Sequence, residues 1–181
     1  LKKGTELARL VGHTDYVRAL AVIPGDRLAS VDYRELYVWD LKRGIKVSQF
    51  RGVGGPALAA LPNGGLLAIP DFRGPIRLWD PQSGAEVARL EGHDDEVWAF
   101  AILPNSVLAS GSLDNTIRLW DLASHKEVAC FVGHEDEVRS LAVLPNGRLV
   151  SGARDNTVRV WDPKRVAKKQ TRRHGGDITA L

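Results

Sequence analysis

The chain has 181 residues, of which 44% are hydrophobic and 26% charged, and its formal net charge is +3. This composition is ordinary for a globular domain and excludes collagen-like, low-complexity and strongly acidic or basic proteins. The longest apolar runs, such as 57–61, are far shorter than the ~20 residues that span a bilayer, and the single cysteine, Cys130, excludes an internal disulfide and a Cys-x-x-Cys motif.

A frame that opens with Gly-His and closes with Trp-Asp recurs along the chain. The frame repeats every 40 or 41 residues, as the spacing of its closing tryptophans shows: Trp39, Trp79, Trp120 and Trp161. A fixed period of this length indicates a repeat architecture. We place the repeats at approximately 12–50, 52–90, 92–131 and 133–172.

Before the first repeat, residues 1–10 resemble 84–90, a segment that ends a repeat, and so predict a single outer strand. The first repeat keeps both ends of the frame, but its second turn, Asp32–Glu35, is one residue short. The second repeat has diverged most, because 52–56 (GVGGP) replaces its Gly-His opening and is two residues shorter. We expect its blade to be the loosest.

The third repeat is the clearest. Val97–Leu103 and Val107–Ser112 are rich in strand-forming residues, Ile117–Trp120 alternates apolar and polar residues, and Lys126–Val132 supplies a fourth strand. Long helical periods do not occur. Four short antiparallel strands per 40 residues predict the blades of a propeller.

The fourth repeat ends in a basic segment. It contains Lys164, Arg165, Lys168, Lys169, Arg172 and Arg173 without an intervening acid. We interpret it as an outer strand that its lysines protect from edge pairing, with a docking patch for an anionic partner as the alternative. Residues 174–181 match the opening of a repeat and predict the first strand of a further blade.

The Gly-His opening, the Trp-Asp ending and the period resemble the WD40-repeat family over nearly the whole chain. The resemblance implies an all-β fold: a WD40-type β-propeller arc of four four-stranded blades, with partial blade strands at both ends, at 1–10 and 174–181. Propellers of this family generally close with more blades. We therefore expect a piece of a larger propeller or an arc completed by another chain, with a distorted four-bladed ring as the alternative.

A set of histidine, serine, aspartate and tryptophan recurs at fixed offsets. The resemblance implies that these residues form structural tetrads, which join loop, strands and turn by hydrogen bonds. The tetrad residues are His93, Ser110, Asp114 and Trp120 in the third repeat, His134, Ser151, Asp155 and Trp161 in the fourth, and His13, Ser30 and Trp39 in the first, where Asp32 is displaced. In the second repeat Val53, Ile69 and Arg73 stand at the matched positions, so that only Trp79 remains and no tetrad is predicted.

His, Ser and Asp together also suggest a Ser-His-Asp hydrolase. The set recurs in several repeats, whereas an active site is needed once, and no nucleophile elbow accompanies the serines. Each set is also followed by an indole whose N–H needs a buried acceptor. We predict a non-enzyme without catalytic residues or cofactors. We also expect no metal site, because the histidines occur about once per repeat.

Residues that vary between repeats are candidates for binding. In the family, the positions just before and just after the valine that opens the first strand, and the position before the tetrad aspartate, lie on the top face around the central channel. The resemblance therefore selects these partner-binding residues: Tyr16, Arg18, Phe72, Glu96, Trp98, Leu113, Glu137, Arg139 and Arg154. The alternatives are that Trp98 packs against a neighbouring blade and that the arginines form a solvated rim.

These observations predict a non-catalytic scaffold that binds a peptide or protein partner on the top face. The alternatives are recognition of ubiquitin or a phosphopeptide through Arg18, Arg139 and Arg154, and hydrolysis by a Ser-His-Asp set. Nucleic acid is not expected, since only the basic segment supports it, and neither is a membrane partner. Self-association or further blades are expected to complete the ring. The lone cysteine indicates a reducing compartment, so we expect the cytoplasm, with the nucleus as the alternative.

Overall fold

A computed structural model describes residues 4–62, 65–71 and 74–165. Within them the chain forms fifteen β-strands in four antiparallel sheets, and its one helical element is a short 3-10 turn, Pro163–Arg165. The predicted all-β fold is confirmed. None of the described helical segments is long and apolar enough to cross a membrane.

Consecutive strands form each sheet, so that each repeat folds as one blade. Blade 1 contains β1 (Ala19–Ile23), β2 (Arg27–Val31), β3 (Glu35–Asp40) and β4 (Ile45–Arg51), and blade 2 contains β5 (Ala59–Ala60), β6 (Leu67–Pro70), β7 (Ile76–Asp80) and β8 (Ala85–Leu90). Blade 3 contains β9 (Val97–Leu103), β10 (Val107–Ser112), β11 (Ile117–Asp121) and β12 (Lys126–Phe131), and blade 4 contains β13 (Val138–Val143), β14 (Leu149–Ala153) and β15 (Val158–Trp161).

The hairpin turns use residues that accept a positive φ. Gly147 (φ 81°) turns β13 into β14, as the Pro-Asn-Gly sequence predicts, and Asn105 (φ 63°) and Ser106 (φ 58°) turn β9 into β10. In blade 1, Gly25 (φ 84°) and Asp26 (φ 55°) have this role. The corresponding Asn63-Gly64 of blade 2 lies outside the described residues.

The first strands of successive blades contact one another, β1 with β5, β5 with β9 and β9 with β13. They form the inner edge of the arc, and β4, β8 and β12 form its outer edge. Between each pair of neighbouring blades lies one hydrophobic cluster, made of residues from both sheets. The core is therefore three layers between blades, as expected when each repeat buries its faces only against its neighbours.

The apolar alternation along each strand produces these layers. In β11, for example, Ile117 and Leu119 face blade 4 and are buried, whereas Trp120 faces blade 2. A fully buried apolar side chain of this size stabilises the fold by about 1.5–3 kcal/mol relative to exposure.

The outer strand predicted before blade 1 does not form within residues 4–18, and that of blade 4 lies outside the described residues. Residues 4–10 were predicted as a strand, but the four sheets contain no strand from residues 4–18. A β-strand requires a neighbour for its backbone hydrogen bonds, and no sheet supplies one to this segment. The outer strand of blade 4 and the partial strand at 174–181 lie beyond residue 165, outside the described residues.

Candidate functional site

The tetrad of blade 3 is a continuous chain of three hydrogen bonds. The Trp120 indole N–H donates to the Ser110 hydroxyl at 2.8 Å, Ser110 bonds Nε2 of His93 at 2.7 Å, and Nδ1 of His93 bonds the Asp114 carboxylate at 2.7 Å. The ionised Asp114 carboxylate can only accept, so Nδ1 of His93 carries a proton, and in the neutral ring Nε2 accepts the Ser110 hydroxyl. Every donor in the chain has an acceptor.

Blade 4 repeats this geometry with His134, Ser151, Asp155 and Trp161, at 2.6 to 2.8 Å. Threonines support both carboxylates: the Thr116 hydroxyl donates to Asp114 and the Thr157 hydroxyl donates to Asp155, each at 2.7 Å. The network thus fixes a loop, two strands and a turn in each blade.

The displaced Asp32 completes a tetrad in blade 1. Its carboxylate lies 2.7 Å from Nδ1 of His13, and His13 and Trp39 bond Ser30 at 2.6 and 2.7 Å. The other oxygen of Asp32 accepts the backbone N–H groups of Arg34 and Glu35. The shortened turn therefore winds around the carboxylate, which compensates for the missing residue and brings the carboxylate to the same histidine nitrogen.

Hydrogen bonding keeps the tetrad carboxylates ionised. Burial acts to raise the pKa of Asp114, but the hydrogen bonds from His93 and Thr116 outweigh it, and the pKa lies well below the usual range. The pKa of Asp155 is lowered in the same way by Thr157 and His134 against its desolvation. Burial of Asp32 is likewise outweighed, by His13 and two backbone N–H groups, so that its pKa is also lowered.

Blade 2 contains no comparable network among the described residues. Val53 and Ile69 are buried at two of the matched positions, and the third, Arg73, is outside the described residues. The indole N–H of Trp79 is buried without a hydrogen-bond partner in the described part of the chain. Trp79 is held by packing instead, with the Arg77 guanidinium 5.0 Å from its ring and Phe50 of blade 1 edge-on at 5.9 Å.

The glycine-rich opening of blade 2 has a steric cause. A Cβ atom on Gly54 would lie 2.3 Å from the carbonyl oxygen of Asp32, and Gly55 donates its N–H to that carbonyl at 2.9 Å. The backbone of blade 2 thus packs directly on the tetrad turn of blade 1, where only glycine fits.

The serines are poorly placed for nucleophilic chemistry. Ser110 and Ser151 are fully buried and Ser30 is 3% exposed. Each hydroxyl oxygen already accepts an indole N–H and lies against a histidine nitrogen, so that a substrate carbonyl has no access to it. This geometry disfavours a Ser-His-Asp hydrolase at the three tetrads.

A cluster of predicted top-face residues joins blades 3 and 4. The guanidinium of Arg139 stacks on the half-buried ring of Trp98, with its central carbon 3.9 Å from the ring centroid. The indole N–H of Trp98 donates to Glu96 at 3.0 Å. Trp98 is thus packed against the neighbouring blade through Arg139 and still presents part of its surface to solvent.

Glu137 neutralises both arginines of this cluster. It accepts a hydrogen bond from Nε of Arg139 at 2.8 Å and lies 3.4 Å from the guanidinium of Arg154. Backbone bonds hold the arrangement, because the N–H of Leu113 donates to Glu96 and the N–H of Arg154 donates to Glu137, both at 2.9 Å. We call Glu96, Trp98, Glu137, Arg139 and Arg154 the tryptophan cluster.

A second cluster lies on blade 1. The guanidinium carbon of Arg18 is 4.3 Å from the ring centroid of Tyr33 and 5.8 Å from that of Tyr16. Arg18 forms no ion pair with any carboxylate of the described residues, whereas Arg139 and Arg154 share Glu137. Tyr16 is 78% exposed. We call Tyr16, Arg18 and Tyr33 the arginine cluster.

Sequence reasoning missed Tyr33. It follows the displaced Asp32, whereas the rule selects the residue before the tetrad aspartate, which here is Val31, two positions earlier. An aromatic residue inside a shortened turn was the available signal. Leu113 is half-buried beside Glu96, and Phe72 of blade 2 lies outside the described residues.

An apolar cavity of about 480 Å³ lies between blades 3 and 4, on the side of the blades where the β9–β10 and β13–β14 hairpin turns are found. It is lined by the hairpin turns and by Leu103, Leu119, Val128 and Pro163. Because it lies at the far ends of β9 and β13, it is separate from both clusters. Within the described ranges, no group of three histidine, cysteine or acidic side chains is placed to hold a metal ion.

Comparison with known proteins agrees with this geometry. The family model "WD domain, G-beta repeat" matches residues 84–121 and 125–162. Echinoderm microtubule-associated protein-like 3 of Mus musculus and of Homo sapiens are each 32% identical over 113 residues, covering 51% of this chain. The matched part is 13% of the length of these relatives.

Among solved structures, the computationally designed Ika4 protein superposes with a TM-score of 0.72 at 30% identity, covering 88% of this chain and 98% of the designed one. Proteins with WD40 repeats act in general as non-enzymatic scaffolds that mediate protein–protein interaction. The two matched repeats, the four blade sheets and these similarities show that the chain belongs to the WD40-repeat β-propeller family.

Proposed function

We propose that the chain binds a peptide or a protein loop on its top face, and that the tryptophan cluster is the main contact. The observation that carries this proposal is Trp98, a large half-buried aromatic side chain whose ring face is covered by Arg139 and whose indole N–H donates to Glu96. Aromatic and arginine side chains dominate the energetics of protein interfaces. Their partners here hold them in place before binding, which lowers the entropy lost on association.

The charges of the tryptophan cluster favour an apolar or aromatic side chain of the partner. Two arginines and two glutamates balance each other around the indole. A strongly anionic group would have to compete with Glu137 for both guanidinium groups. We therefore expect partner residues that stack on Trp98 and use the rim for hydrogen bonds.

Selection of peptides from a random library on the immobilised chain tests this proposal. The selected peptides should lose at least tenfold in affinity with Trp98→Ala and with Arg139→Ala, which equals about 1.4 kcal/mol or more. Arg43→Ala, an arginine on the exposed outer turn of blade 1, is the matched control and should bind normally. If selected peptides bind the Trp98→Ala variant as tightly as the original chain, the proposed site is wrong.

Phosphopeptide recognition is the second candidate, and the arginine cluster favours it. Arg18 is exposed, stacks on tyrosine rings and lacks a carboxylate partner among the described residues, so that its donors are available to a phosphate. Phosphorylated and unphosphorylated forms of the selected peptides distinguish the two candidates. A gain on phosphorylation that Arg18→Gln removes and Arg139→Gln leaves supports phosphate recognition at blade 1. Ubiquitin, the other alternative, is tested by titration with the same two variants.

A further inference from the structure

The loops that precede β9 and β13 border the tryptophan cluster, and both are acidic. Their sequences are HDDE at 93–96 and HEDE at 134–137, and the last glutamate of each belongs to the tryptophan cluster. The acidic residues before these glutamates form no ion pair within residues 4–62, 65–71 and 74–165. We call them the acidic rim: Asp94, Asp95, Glu135 and Asp136.

The repeat frame accounts for one aspartate in each loop. Asp95 and Asp136 each accept the backbone N–H of the following residue at 2.8 Å. Asp15 accepts the same bond at 2.7 Å in blade 1. This position therefore has a structural role in the turn, in addition to the charge that it supplies.

The frame does not account for the residue that follows each tetrad histidine. Asp94 and Glu135 are exposed, and their carboxylates accept no hydrogen bond from the described residues. Blade 1 has Thr14 at this position, and the opening of blade 2, 52–56, contains no acidic residue. The blades thus fold with or without these charges, which occur in the two blades that form the tryptophan cluster.

Glu96 adds an available acceptor directly beside Trp98. Its Oε2 accepts the indole N–H at 3.0 Å, whereas its Oε1 meets solvent and forms no hydrogen bond with a described residue. Both arginines of the cluster pair with Glu137 instead. A cationic group next to a side chain bound on Trp98 would therefore have a free carboxylate oxygen within reach.

The negative charge at this edge contrasts with the charge of the whole chain. The acidic rim, the tryptophan cluster and the tetrad aspartates of blades 3 and 4 together contain eight carboxylates and two arginines, a formal charge of −6. The complete chain has a formal charge of +3. A surface of one sign attracts partners of the other sign and speeds their association, over a distance of about 8 Å at physiological salt.

We propose that the partner of the tryptophan cluster is a basic segment of a protein. An apolar or aromatic residue of this segment stacks on Trp98, and lysine or arginine residues on either side of it face Glu96 and the acidic rim. Alternate residues of an extended peptide lie about 7 Å apart and point to the same side, so that residues two positions from the stacked one reach the rim. This proposal rests on the proposed function, because it names the class of partner for the same site.

The composition of peptides selected on the immobilised chain is the first test. Lysine and arginine should be enriched, relative to the unselected library, within two residues of the aromatic or apolar position that depends on Trp98. Selection on the double variant Asp94→Lys/Glu135→Lys should shift the flanking residues toward aspartate and glutamate. A pool that stays basic on the reversed rim would contradict the proposal.

Binding kinetics of the selected peptides are the second test. The double variant Asp94→Asn/Glu135→Gln should bind them about fivefold more weakly, since an exposed ion pair contributes about 0.2–1 kcal/mol. Most of the loss should be in the association rate, which also should fall with added salt more steeply for the original chain than for the variant. Asp26→Asn is the matched control: Asp26 is exposed in the β1–β2 turn at the opposite edge, has no ion pair among the described residues, and should be replaceable without effect.

Trp98→Ala separates a failure of this proposal from a failure of the proposed function. Selected peptides that need Trp98 but are not enriched in basic residues, or that bind the neutral rim variant as fast as the original chain, overturn the basic segment and leave the proposed function standing. Basic peptides that bind Trp98→Ala as tightly as the original chain overturn both, because charge alone then explains the binding. A library that yields no binding peptide also overturns both.

Discussion

The blade 3 tetrad depends on Ser110, because its hydroxyl joins the Trp120 indole to the His93 imidazole. Ser110→Ala leaves two buried polar groups without a partner, and we expect the free energy of unfolding to fall by about 1–3 kcal/mol. Urea unfolding followed by tryptophan fluorescence measures this change.

Ser48→Ala is the matched control for Ser110. Ser48 is half-buried on β4, and its side chain has no hydrogen bond to any other described residue, so that its loss should change stability by less than ~0.5 kcal/mol. Equal effects of the two substitutions would contradict the structural role of the tetrad.

The raised pKa of Tyr37 predicts that the free energy of unfolding falls at alkaline pH. Burial of its ring and its hydrogen bond to Glu35 raise the pKa of Tyr37 to about 12, whereas an unfolded tyrosine has a pKa of about 10. Below pH 10 both states are protonated and the stabilisation is complete. As the pH rises toward 12 the unfolded state loses its proton first, and stability falls. Tyr37→Phe should flatten this fall in urea midpoints measured across the same range, and an unchanged slope would refute the prediction.

Blade 2 differs from its neighbours at the scale of an element. Its first strand, β5, has only two residues, and among the described residues the indole N–H of Trp79 has no partner of the kind that Trp39, Trp120 and Trp161 have. An edge-on contact with the Phe50 ring and a cation–π contact with Arg77 hold Trp79 in place of a polar network. Local stability is lowest where polar restraints and ladder hydrogen bonds are fewest.

The two tryptophans allow a matched comparison. Trp79→Phe and Trp120→Phe remove the same atoms from buried sites, but within the described part of the chain only the Trp120 indole has a hydrogen bond to lose. We expect Trp120→Phe to lower the free energy of unfolding by about 1 kcal/mol or more beyond Trp79→Phe, because it breaks a hydrogen bond, whereas removing an unpaired buried donor relieves a desolvation cost. Chemical denaturation of both variants measures the difference. A larger effect at Trp79 would mean that its N–H is satisfied in solution.

At the scale of the whole molecule, the sequence predicts the fold well where repeats agree with one another. In blade 3 the predicted strands Val97–Leu103 and Val107–Ser112 coincide with β9 and β10, because alternation and turn residues indicate the same boundaries. Prediction was weaker where a neighbouring blade dictates local structure. The contact of Gly54 with the carbonyl of Asp32 cannot be seen in either repeat alone.

The candidate site shows the same division. Position within the repeat selects Trp98, Arg139 and Arg154 as top-face residues, and in the structure Arg139 stacks on the Trp98 ring while Arg154 pairs with Glu137. The charge pairing could not be predicted from the sequence. Only the structure shows that Glu137 pairs with Arg139 and Arg154, whereas Arg18 has no ion pair among the described residues. The position of Asp32 depended on the winding of a shortened turn, which offsets alone do not specify.

The pairing of each strand with its neighbour in the chain also shapes how the molecule folds. Every sheet closes through short hairpins, so that few long loops must be closed before contacts form. A chain of this kind nucleates in one locally stable unit and grows blade by blade. Blades 3 and 4, with two complete tetrads and a shared hydrophobic layer, are the natural starting point. We then expect the formation of blade 2 to limit the folding rate, because folding toward blade 1 must pass through blade 2, which has no tetrad among the described residues.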